Sequence, residues 1–299
     1  MLAWAILPLI VDPFLESWLG LKDVTTAGLL GGVVSVYGNL VALWGVAKLQ
    51  RDVAAVQSVV TDLTDGAITG SHLFRAIGNV AIPLAIMAAV SVIYGLGQAL
   101  VLGAATVPAI LIGFVAWLPV VTLAWVAGAI LLGLHRLGGM PLKLKPFEED
   151  RSLGLRRLGH LAFTPLLLYA AGMIPAVVIR GPTQIEDVFI NIGVMLIIVV
   201  LLFASLTRLR RQLVAAKARH LAWARDLYVL ALAPVRSAGS REALGAQAAE
   251  LQAAEALERR VAIIQEWPFD EAIFRGIVAI VTSVSTALVV RLILSRLGL

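Results

Sequence analysis

Six runs along the chain are apolar almost throughout, and one long run is not. The apolar runs cover about 25–47, 76–102, 107–134, 161–179, 188–206 and 272–294. Each approaches or exceeds the ~20 residues that a helix needs to cross a bilayer. They predict an all-α, polytopic helical membrane protein with about six transmembrane helices. Residues 207–267 differ: polar and apolar positions there alternate at helical spacing. Leu213, Ala216, His220, Trp223 and Leu227 share one face, and Leu244, Ala248, Leu251, Leu257, Val261 and Ile264 recur at mostly three- and four-residue steps. Ala233-Pro234 breaks the pattern and 237–240, Ser-Ala-Gly-Ser, turns the chain. The expectation is an antiparallel hairpin of two helices, each about 40 Å long.

The pattern divides the chain into an N-terminal segment at 1–24, a five-helix region at 25–206, the hairpin at 207–267 and a sixth span within 268–299. The first segment is apolar for only about ten residues before Asp12-Pro13, too short to span, and reads as an interfacial or re-entrant helix. Trp4 and Trp18 suit headgroup depth, and sequence upstream could complete the segment as a span. Gly28 and Gly32 permit close packing of the first span. Pro108, Pro119, Pro165 and Pro175 lie in the third and fourth spans, where neighbouring groups can satisfy a freed carbonyl. Asp270 and Glu271 suit the first turn of the sixth.

Charge supplies sidedness. Of the 24 Lys and Arg residues, 20 fall in the connections 48–75, 136–157 and 207–275, and ten of these lie in 207–267. The rest are Lys22, Arg180, Arg291 and Arg296. The two sets alternate without violation across six spans. The positive-inside rule then puts the rich connections and the hairpin in the cytosol, both termini outside, and the protein in the cell membrane. The net charge of +5 suits contact with anionic lipid at the cytosolic face better than nucleic acid.

Composition narrows the chemistry. Hydrophobic residues make up 60% and charged residues 14%, against about 25% charged in soluble domains. There is no cysteine, which excludes disulfides, thiol catalysis and Cys-based metal sites. No phosphate-cradling GxxxxGK[ST] occurs, and no histidine pair has zinc-protease spacing. His135 and His160 flank the acidic cluster Glu148-Glu149-Asp150, which leaves a cytosolic metal site as a minor alternative, since such sites need convergent, oriented ligands. Asp12 and Glu16 share a face but read as solvation of a short helix. The expectation is a non-enzyme without cofactor or metal. The string VYGN at 36–39 has the residues of a K⁺-channel filter, yet it sits inside a continuous apolar run with no pore helix before it.

None of the six runs carries a charge near its centre, which argues against proton-coupled carriers and voltage sensors. Uncharged polarity concentrates in the last run. Thr282, Ser285 and Thr286 share one face, and Arg275 lies on nearly the same face toward the cytosolic end. Such a stripe could line a pore when several copies assemble, and arginine rings favour anions. Ser and Thr can also back-bond to their own helix or join packed helices. Asn39, Asn79, Tyr94, Gln98 and Asn191 are further polar positions at or near the spans. The expected function is an oligomeric ion channel, with the sixth span lining the pore. A carrier of a small neutral or lipid-like molecule, and a non-transporting scaffold or regulatory subunit, are the alternatives.

Overall fold

The computed structural model describes residues 26–66, 70–102, 107–147, 150, 152–179, 185–237 and 241–297. Among these the chain is all helical, without strands. The helices are α1 (Thr26–Leu63), the single turn α2 (Gly70–Leu73), α3 (Ala81–Leu102), α4 (Val107–Leu137), α5 (Arg156–Ile179), α6 (Ile185–Ser237), α7 (Arg241–Ala262) and α8 (Glu271–Arg296). The N-terminal segment 1–24, with Asp12 and Glu16, lies outside the described residues.

Helices α4 and α5 form the middle of the bundle. Helix α1 packs on both, α6 packs on both from another side, α3 lies on α4, and α8 lies on α5 and α6. All six apolar runs are helical. Four described stretches are long and apolar enough to cross a membrane: Trp117–Leu137, Arg156–Pro175, Val188–Ala233 and Glu271–Leu294. The apolar stretch described in α3, Ala81–Ile93, is shorter. The described residues of α1 are not among the four. The second half of α1 carries Lys48, Arg51, Asp52 and Asp62 on one side and buries Leu49, Val53, Val56, Val60 and Leu63 on the other. That alternation of four- and three-residue steps is the spacing of a helix–helix seam.

The expected break at Ala233-Pro234 does not occur. The fifth span and the first hairpin helix are one continuous helix, α6, of 53 residues and therefore about 80 Å long. Proline removes one donor and crowds the preceding turn, but Pro234 stands only three residues from the end of α6, where few bonds depend on it. Helix α7 returns along the distal half of α6. Leu213, Ala216 and Ala224 of α6 and Ala254 and Val261 of α7 are buried, with Ile264 just beyond. Ion pairs Lys217–Glu266 (3.3 Å) and Arg225–Glu258 (3.2 Å) bridge the outgoing and returning arms of the hairpin. Trp223 is exposed, and so are Val229 and Leu230 in the apolar string LYVLALA near the far end.

The basic side of the bundle is fastened by specific polar contacts. Gln212 of α6 donates from Nε2 to the carbonyls of Gly138 (2.8 Å) and Met140 (2.6 Å), satisfying acceptors that a helix end leaves unpaired. The Leu63 carbonyl at the end of α1 accepts from Lys143 N at 2.7 Å. Asp150 organises the turn before α5. Its carboxylate accepts from Ser152 N, Ser152 Oγ and Gly154 N, and Ser152 Oγ in turn accepts from Arg156 N. Leu153 and Gly154 take positive φ there, at 53° and 90°.

Candidate functional site

Helix α8 begins at a cap that its own sequence supplies. Asp270 accepts from Ile273 N at 3.1 Å and pairs with Arg156 of α5 at 3.1 Å. The Ile273 amide holds its carboxyl below the usual range, burial opposes this, and the charges of Arg156 and His160 add to the lowering. Just before it, Trp267 stacks on Phe269 with centroids 5.4 Å apart. Phe203 of α6 meets both rings edge-on, and the Arg210 guanidinium lies 4.9 Å over Trp267. This aromatic knot fixes where α8 starts against α6.

From that start, one side of α8 is dictated by burial. Ile273, Ile277, Val284 and Leu288 are buried at helical spacing toward α5 and α6. The opposite side carries Thr282 and Thr286, both exposed, with Ser285 half-buried beside them. Arg275 is exposed at the basic end of the same side and pairs with Glu271 one turn back at 3.7 Å. The face is not uniformly polar: Phe274, Val278, Val289 and Ile293 are exposed on it as well. The candidate stripe is thus brought together, and it points away from the rest of its own bundle.

The hydroxyls of this stripe differ from others in the helices. Thr122 and Thr164 return to the carbonyls of Leu118 and His160 four residues back, and Thr207 and Ser205 bond to Phe203 and Leu202. Among the described residues, Thr282, Ser285 and Thr286 make no such side-chain bond.

The remaining polar candidates are dispersed. Asn39 is buried within α1 at 3% exposure, and Tyr37 two residues earlier donates to Ala171 O of α5 at 3.2 Å. Residues 36–39 lie in unbroken helix, so their carbonyls are not displayed as a filter. Asn79 precedes α3 and accepts from Ala81 N at 3.2 Å, a local capping role. The side chains of Tyr94 and Gln98 lie outside the described residues. Asn191 is half-buried in α6, and its carbonyl accepts from Tyr169 at 3.0 Å. Among the described residues no three His, Asp or Glu side chains are grouped to hold a metal ion. His135 lies against Ala204 O of α6 at 3.3 Å and His160 beside Asp270, while Glu148 and Glu149 lie outside the described residues.

Sequence reasoning missed the cavity between α1 and α4. It measures about 330 Å³ and is lined by Leu43, Val46, Ala47 and Gln50 of α1 and Leu118, Pro119 and Thr122 of α4. Its only sequence signal is Pro119, which removes a donor where α4 passes α1. The chain matches no protein-family model, no curated protein and no solved structure.

Proposed function

We propose that this chain is the subunit of an oligomeric ion channel in which the outward face of α8 lines a shared path. One observation carries the reading: Thr282, Ser285 and Thr286 lie together on that face and leave their hydroxyls unused by the chain. A hydroxyl in apolar surroundings is ordinarily silenced by its own helix, as Thr122 is. Hydroxyls left open serve water, ions or a second copy of the same face. Arg275, exposed at the basic end, would form a ring of positive charge at the mouth and favour anions. The apolar residues between the hydroxyls would form constrictions of the kind that gate by dewetting.

Purified protein reconstituted in a planar bilayer tests this. Unitary currents are expected, and Thr282→Leu combined with Thr286→Leu should abolish them while the oligomer stays intact. A monomer in mild detergent, or currents unchanged in the double variant, would sink the proposal.

A further inference from the structure

The cavity between α1 and α4 sits where α1 changes character. Gly45 of α1 has Leu123 of α4 and Leu168 of α5 against it, at 3.1 and 3.0 Å from where a Cβ would stand. Above this level the outer side of α1 is apolar and aromatic, with Val33, Leu40 and Trp44 exposed. Below it come Lys48, Gln50, Arg51 and Asp52. An exposed Trp one turn from a Lys marks a bilayer boundary. The cavity runs along α1 from Gln50 to Leu43, so it extends from that boundary into the apolar zone over about 10 Å.

Its interior offers almost nothing to a polar guest. Leu43, Val46, Ala47 and Leu118 form apolar walls, Pro119 has no N–H, and the Thr122 hydroxyl is already given to Leu118 O at 2.8 Å. The rim is the opposite. Arg51 folds back so that Nε donates to the carbonyl of Ala47, a wall residue, at 3.2 Å. The guanidinium is thereby held within one turn of the Ala47 wall, next to the lining residue Gln50, with its remaining donors clear of that bond. Lys48 is neutralised by Asp52 at 2.8 Å, whereas Arg51 has no carboxylate partner among the described residues. Lys48, Arg51 and Asp52 leave one net positive charge within a turn of the groove's apolar walls.

We propose that this groove holds one acyl chain of an anionic phospholipid, with its phosphate on the Arg51 guanidinium and Gln50 beside it. The chain lies along Ala47 and Val46 toward Leu43 and Pro119, tail toward the apolar half of α1. The site depends on the membrane reading of the chain and not on the pore assigned to α8, which lies on another side of the bundle.

Native mass spectrometry of detergent-purified protein, offered phosphatidylglycerol and phosphatidylcholine with the same chains, tests the site. The wild-type chain should retain phosphatidylglycerol in preference. Arg51→Gln should cut that preference roughly fivefold, the share of one cation near anionic lipid. Ala47→Phe, which fills the groove, should lose both lipids. In a variant-free arm, phosphatidylglycerol brominated in mid-chain should quench tryptophan fluorescence more than brominated phosphatidylcholine, because Trp44 and Trp117 adjoin the walls. The proposal is overturned if Ala47→Phe retains lipid like the wild type, or if inorganic phosphate displaces the lipid. A change in oligomer mass without lipid loss would overturn it too, since a second copy would then cover the groove. So would equal quenching by the two brominated lipids.

Discussion

The carbonyl of Pro268 occupies the place where a Cβ on Gly159 would stand, and Phe269 Cβ lies 3.0 Å from the same point. The first turn of α5 and the link into α8 are therefore in backbone contact. No side chain fits between them. Gly159→Ala is expected to force the two apart and destabilise the protein by about 1–3 kcal/mol. Gly128→Ala in α4 is the control, since nothing lies within 4 Å of that position. Alanine there should be neutral or stabilising by about 0.5–1 kcal/mol. Thermal melts of both variants in the same detergent would show the contrast, and equal melting points would refute the contact.

Gln212 ties the end of α4 to α6 through two carbonyls, Gly138 and Met140. Leucine at 212 keeps the volume and removes both donors. The expected loss is about 1–3 kcal/mol, the cost of leaving buried acceptors unpaired. Hydrogen exchange at the start of the loop after Leu137 should rise in Gln212→Leu while exchange in the α6–α7 hairpin stays as it was.

Asp150 gives a dependence on pH. Burial pushes its carboxyl up, but Ser152 N, Ser152 Oγ, Gly154 N and the Arg156 charge together pull it below its ordinary value of 3.8. A lowered folded value means that the charged carboxylate stabilises the fold. That contribution is complete above pH 3.8 and disappears as pH falls through the lower folded value. Asp150→Asn should therefore be less stable than wild type at neutral pH, and the gap should close only below about pH 4. A gap that closes near neutrality would assign the effect to another group.

Arg275 should govern selectivity if α8 lines the path. Arg275→Glu replaces a positive mouth with a negative one, beside the acid already at Glu271. The reversal potential under a salt gradient should move from the anion side toward the cation side, with unitary current retained. An unchanged reversal potential would place Arg275 away from the permeation path.

Sidedness can be read directly because the chain contains no cysteine. Glu255→Cys on α7 gives a single thiol on the exposed side of the hairpin. An impermeant maleimide should label it in inside-out vesicles and leave it untouched in intact cells. Labelling of intact cells would place the hairpin outside and reverse the charge argument for the whole chain.

Much of the architecture was legible in residue pattern. Six apolar runs predict six helices, and each run is helical, although only four described stretches are long and apolar enough to cross a membrane. The capped start of α8 follows from Asp270, whose carboxylate accepts from Ile273 N, with Glu271 as an acid in the first turn. Local periodicity reports such features because neighbours three and four residues away are fixed by the helix itself. The hairpin was legible in its apolar stripe but not in its continuity with the fifth span. Pro234 marks a break by local rules, and a proline so close to a helix end disturbs too few bonds to impose one.

By itself the sequence determined that this is a helical protein built from apolar rods, with its cations gathered in a few connections and three hydroxyls in register on the last helix. Those are properties of composition and of spacing along one helix. The tertiary structure alone decided that the hydroxyl face turns outward, that α1 carries its polar half along α4 and α5, and that a largely apolar groove opens between α1 and α4. These depend on which helix lies against which, and that is set by contacts between residues far apart in the chain, such as Gly45 with Leu168 and Gly159 with Pro268.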